Sequence, residues 1–136
     1  MGFALIIEKI IEVFERNKEF CMVGHNPAYD LLYIFNQFVD QLPDSYPEFA
    51  KEFHGRFPRS YDTKVLSYQS DYFGKTSLGK VYEKCEYDKR LKDIIKFSFD
   101  PRFTNYDGAN LSSHYHEAGY DAMMTGVIFA KILKYK

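Results

Sequence analysis

At 136 residues the chain is one domain or part of one. Hydrophobic residues make up 46% of it, enough for a core, and 13 Phe and 12 Tyr without a Trp form a skewed aromatic set to which no function attaches. The net charge of −1 excludes a uniformly basic nucleic-acid coat but leaves room for a local basic groove.

The opening MGFALIIEKIIEVFER carries charges at every turn, unlike a signal peptide, and no apolar run reaches the length of a transmembrane helix. A soluble chain with no membrane partner is expected. Cys21 and Cys85 are far apart and lack partners at metal-binding spacing, which points to a reducing, intracellular compartment. Internal repeats and low-complexity linkers are absent.

In chain order, residues 3–16 place Phe3, Ile6, Ile7, Ile10, Ile11, Val13 and Phe14 at helical spacing, with Glu8, Glu12, Glu15 and Arg16 opposite. Residues 19–23 read as a short buried strand stopped by Gly24. Asn26 suits an N-cap and Pro27 the first helical position, so a helix over residues 27–39 follows, apolar nearly all round and therefore buried. Residues 42–47 read as a turn-rich connection, 48–54 as a short helix and 59–66 as a second strand. Thr76 or Ser77 caps a helix reaching Tyr87. Residues 97–113, with Asp100-Pro101, Asp107-Gly108 and a Ser pair, read as loop. A last helix over residues 117–135 is expected to bury Tyr120, Met124, Val127, Ile128 and Leu133. Two strands each followed by a helix suggest a parallel α/β arrangement, and two strands do not make a stable sheet by themselves.

Residues 75–96 hold seven Lys or Arg against four acids, most simply a solvated helix face. Two segments carry chemistry more directly. In VGHNPAYDLLYIF, Asp30 falls in the first turn of an apolar helix. A carboxylate there needs a cation, hydrogen bonds or the helix dipole to offset desolvation, and an Asp satisfied by backbone amides is the plainer reading of this segment alone. In HEAGYDAMMTG, His116 and Asp121 are five apart and converge only if His116 precedes the helix and Asp121 lies on its first turns. That would suit a mobile general base beside a rigid metal ligand, with Gly119 and Gly126 allowing close backbone approach. A surface loop histidine is the alternative, since His114 places a second, uncommitted histidine nearby.

Taken together, GHN followed by Asp30, then Leu42-Pro43, Phe57-Pro58-Arg59, Asp62-Thr63-Lys64, Thr76-Ser77-Leu78 and HEAGYDA with Thr125-Gly126 resemble motifs II and III of the DEDDh 3′→5′ exonucleases. Within that class the pattern is similar to the poly(A)-specific ribonuclease and piRNA-trimming group, the Caf-type deadenylases, over residues 2–133. The resemblance implies an α/β, RNase H-like exonuclease fold and hydrolysis from an RNA 3′ end, of poly(A) or small RNA, releasing 5′-mononucleotides with two Mg²⁺ ions. It implies Asp30 and Asp121 as metal ligands and His116 as general base, with Lys64 and Ser77 near the RNA. Glu117 is not expected to be a ligand. A homodimer and a nuclear or cytoplasmic location also go with the family.

The family's motif I, an Asp-x-Glu on the first strand, is absent from the sequence. The chain is therefore expected to be a partial DEDDh ribonuclease domain over residues 1–136, its fold incomplete with the first strands absent, and inactive alone. The competing reading is a non-catalytic RNA- or protein-binding remnant, against which the joint presence of Asp30, His116 and Asp121 weighs.

Overall fold

The computed structural model describes residues 2–70, 72–74, 76–98, 100, 102, 114 and 116–135. Most of the expected loop, including Pro101, Asp107-Gly108 and the Ser112-Ser113 pair, lies outside the described residues, as does Lys75 of the basic run. The elements run α1 (Phe3–Arg16), β1 (Met22–Gly24), α2 (Ala28–Phe38), α3 (Tyr46–Arg56), β2 (Ser60–Asp62), α4 (Thr63–Tyr68), α5 (Leu78–Tyr87) and α6 (Ala118–Tyr135). They divide into two compact units, Met1–Tyr61 and Asp62–Lys136. β1 and β2 pair in a two-stranded parallel sheet. No helix among the described residues is long and apolar enough to cross a membrane.

Phenylalanine builds the core of the first unit. Phe14, Phe35, Phe49, Phe53 and Phe57 are buried together, with Ile11, Met22, Leu31, Leu32, Val39 and Leu42 packed around them. Phe49, Phe53 and Phe57 recur every fourth residue, so α3 lays one aromatic edge along the core. Phe14 meets Phe57 and Phe35 meets Phe49 edge-to-face at 5.4 and 5.3 Å, pairs that each contribute about 0.5–1.5 kcal/mol beyond area burial. α3 begins earlier than expected because Ser45 caps it. The Ser45 hydroxyl accepts from the Glu48 N–H and donates to the Glu48 carboxylate, and Pro47 sits in the first turn, where its missing N–H costs nothing.

Several sequence expectations need correction here. The first strand is Met22–Gly24 rather than 19–23, because Asn17 folds the intervening residues into a turn, its side chain accepting from Glu19 N–H and its carbonyl from Phe20 N–H. Arg59 locks that turn, donating to the carbonyls of Phe20 (2.6 Å), Asn17 (2.9 Å) and Phe14 (3.4 Å) and so satisfying the end of α1. The N-cap of α2 is Pro27 and not Asn26, and α2 buries only Phe35, leaving Tyr29 and Tyr33 exposed. On α1, Ile7 and Phe14 are buried while Phe3, Ile6, Ile10 and Val13 stay exposed. The second strand stops at Asp62, whose carboxylate accepts from Lys64 N–H and starts α4 where continued strand was expected.

In the second unit, α5 and α4 pack on α6. Phe73, Val81, Tyr82, Cys85 and Leu91 meet Tyr120, Met124, Val127, Ile128 and Ile132 in its core. The buried positions of α6 follow a strict helical stripe that takes in Lys131 and Ile132 and leaves Leu133 56% exposed, contrary to expectation. Lys131 is tolerated there because its ammonium donates to the Cys85 carbonyl (2.8 Å) and the Glu86 carboxylate (2.7 Å). Both cysteines are free, Cys21 exposed and Cys85 buried, and burial pushes the Cys85 thiol up to about 11.

Candidate active site

The GHN turn works through backbone geometry. A Cβ on Gly24 would stand 2.6 Å from Pro27 Cγ, so only glycine lets the chain leave β1 and enter α2 at this angle. Asn26 takes a left-handed φ of 59°, a conformation Asn tolerates better than most residues. The result is Asp30 in the first turn of α2, where the helix dipole favours a carboxylate. That carboxylate is exposed and not desolvated as the apolar helix suggested.

The second segment sits at the start of α6. Glu117 N–H donates to the His114 carbonyl (3.0 Å), closing a turn, and His116 within it has φ 74°. A non-glycine residue held there costs about 1–3 kcal/mol, and such outliers gather where function requires them. His116 is exposed and ends one residue short of the helix. Asp121 is half-buried in the first turn, its N–H on the Glu117 carbonyl (2.9 Å) and its own carbonyl accepting from the Thr125 hydroxyl (2.8 Å). The loop-then-helix placement of His116 and Asp121 is thus as anticipated. His114 is not uncommitted: its Nδ1 stands 2.9 Å from Glu117 Oε1 and its ring centroid 5.7 Å from that of Tyr120. Glu117 is occupied by His114. Gly126 does not serve close approach, since a Cβ there would meet nothing within 4 Å.

Lys64 is half-buried in the first turn of α4, its N–H on the Asp62 cap, and Ser77 is the exposed N-cap of α5, its hydroxyl making no capping bond. Three members of the basic run are engaged locally: Lys80 pairs with Glu83, Arg90 lies over the Tyr72 ring, and Lys84 both covers that ring and donates to the Tyr72 carbonyl. The Arg90 backbone N–H donates to the Asp88 carboxylate at 2.8 Å. A cavity of about 530 Å³ in the first unit, lined by Asp40, Asp44, Glu48 and Glu52 with Lys51, takes in Leu42-Pro43 of the family pattern but none of the residues expected to bind metal or RNA or to act as base. Gly24 was legible in the sequence as the stop of the first strand, whereas Arg59 was visible only as part of a family pattern.

The aspartates offer the hard oxygen donors a divalent cation takes. Among the described residues, however, no group of three or more His, Cys, Asp or Glu side chains is arranged to hold a metal ion.

A family model described as CAF1 family ribonuclease matches residues 1–129. The chain belongs to the CAF1 ribonuclease family. Its mixture of helices with a small parallel sheet is consistent with a CAF1 nuclease domain. Among similar proteins, the pre-piRNA 3′-exonuclease trimmer of Bombyx mori is 32% identical over 97% of this chain and 25% of its own length. The poly(A)-specific ribonuclease PARN of Xenopus laevis is 34% identical over 99% of this chain and 20% of its own, and the human PARN 33% over the same shares. The chain thus spans about a fifth to a quarter of the length of these CAF1 relatives. No solved structure matches it.

Proposed function

We propose that the chain forms the His116- and Asp121-bearing part of a 3′→5′ exoribonuclease that hydrolyses poly(A) or small-RNA 3′ ends to 5′-mononucleotides. The observation that carries this reading is His116 held left-handed on the turn that leads directly into the helix of Asp121. His116 takes the proton of the attacking water at a ring nitrogen as the water oxygen bonds to phosphorus and the ribose 3′-oxygen leaves. Asp30 and Asp121 would each supply a carboxylate to divalent ions, for which Mg²⁺ suits the donor type. Such ions, when bound, neutralise charge at the phosphoryl and leaving oxygens. Lys64 faces a backbone phosphate and Ser77 offers its hydroxyl to the RNA.

Two aspartates are too few for two hard cations that each take about six oxygen ligands. No Asp-x-Glu stands in the 136 residues, so this reading takes the remaining carboxylates from residues beyond these. The 136-residue chain alone is accordingly expected to leave RNA intact in Mg²⁺. The test is 5′-labelled oligo(A) incubated with the full-length protein and its Asp121→Asn variant. Stepwise shortening by wild type and none by the variant supports the reading; equal shortening by both, or none by wild type, overturns it.

A further inference from the structure

Two residues that the proposed chemistry leaves idle hold the residue it depends on. His116 has φ 74°, a backbone conformation that side chains disfavour and that persists only where the surroundings over-determine it. The surroundings here are two closures between the same pair of residues: Glu117 N–H to the His114 carbonyl at 3.0 Å, and His114 Nδ1–H to the Glu117 carboxylate at 2.9 Å. The pair is anchored on both sides. The His114 ring packs on Tyr120, which is wholly buried in the core, and the Glu117 carbonyl accepts the Asp121 N–H as α6 begins. Glycine would hold this turn without strain, so the presence of histidine calls for a reason other than the turn itself.

We infer that His114 and Glu117 are positioning residues that clamp the turn and fix His116 in its left-handed conformation, presenting the imidazole from a constant point beside the start of α6. The value of the clamp to catalysis rests on the proposed role of His116, whereas its effect on the backbone does not. A general base contributes roughly 10²–10⁴-fold to rate, and that contribution depends on placement. Releasing the clamp gives up part of it without touching substrate or metal.

The experiment uses the full-length protein. Glu117→Ala and His114→Ala should each lower kcat by about tenfold, a part of what a general base supplies, with KM for oligo(A) and Tm unchanged. Glu117→Gln, whose amide oxygen still accepts from His114, should recover most of the loss. In a His116→Ala background, Glu117→Ala should lower kcat no further. An equal loss in both backgrounds, or a loss matched by a fall in Tm, would mean a structural role only and would overturn the inference. Independently, histidine labelled with ¹⁵N should show for His116 the intense intraresidue HN–Hα NOE of a positive φ in wild type and Glu117→Gln, weakened in Glu117→Ala. A weak NOE in wild type, or an undiminished one in Glu117→Ala, also overturns it. A wild-type protein that hydrolyses no RNA would sink the proposed function, and the NOE alone would then decide the clamp.

Discussion

Lys131 occupies the buried stripe of α6 with 2% of its side chain exposed, while its partner Glu86, on α5, keeps 34%. That asymmetry makes the two halves of the pair unequal under mutation. Lys131→Met keeps the volume of the stem and removes the charge. Glu86 then turns toward water, and the main cost is the Cys85 carbonyl left without its donor, about 1–3 kcal/mol. Glu86→Ala instead strands an ammonium in the core with one neutral carbonyl for company. Breaking a buried pair from that side costs about 3–5 kcal/mol, and the partial exposure of Glu86 places the expectation at the lower end. Urea unfolding followed by far-UV circular dichroism, with both single variants and the double, measures the order and the coupling. The double variant should be less damaged than Glu86→Ala alone. If Lys131→Met proved the more damaging single change, or if neither shifted the midpoint, the ion pair would not be what makes a buried Lys131 tolerable.

Arg59→Ala should destabilise the protein by about 1–3 kcal/mol, because three carbonyls at the end of α1 and in the turn after it lose one charged donor. Arg59→Lys should recover less than half, since an ammonium cannot span them as the guanidinium fork does; full recovery in thermal unfolding would count against that geometry. At pH 8 a thiol reagent should label exposed Cys21 promptly. Cys85 should react only after unfolding, its thiol protonated at that pH with a value of about 11 and its side chain sealed in the core. Two equally fast thiols in native protein would contradict the packing of α5.

Where periodicity was long, the sequence was readable. α1 spans the residues its apolar spacing marked, and α6 begins one residue late, within the ordinary uncertainty of helix ends. Short elements gave way to local hydrogen bonding. Asp62 ends β2, but its carboxylate caps α4 and makes helix of residues 63–66, which were read as strand; Asn17 draws Glu19, an expected strand residue, into a turn. Burial was less legible than secondary structure. The apolar body of α2 suggested full enclosure, while Tyr33 is 66% exposed and Asp30 meets solvent, and an interior Lys131 defied its residue type through partners 45 and 46 positions away. The loop-to-helix placement of His116 and Asp121 followed from their five-residue spacing only on the condition that the two converge. The engagement of His114 by Glu117 did not, because a histidine three residues from a glutamate is equally compatible with two free side chains.

The proposed function gives His116 the role of moving a proton without binding metal. Single-turnover hydrolysis of oligo(A) by the full-length His116→Ala variant, beside a Mg²⁺ titration of the same protein, addresses it directly. The rate should fall by roughly 10²–10⁴-fold, the share a general base supplies, while the Mg²⁺ midpoint stays where wild type has it. An unchanged rate, or a midpoint moved to much higher Mg²⁺, would contradict the assignment.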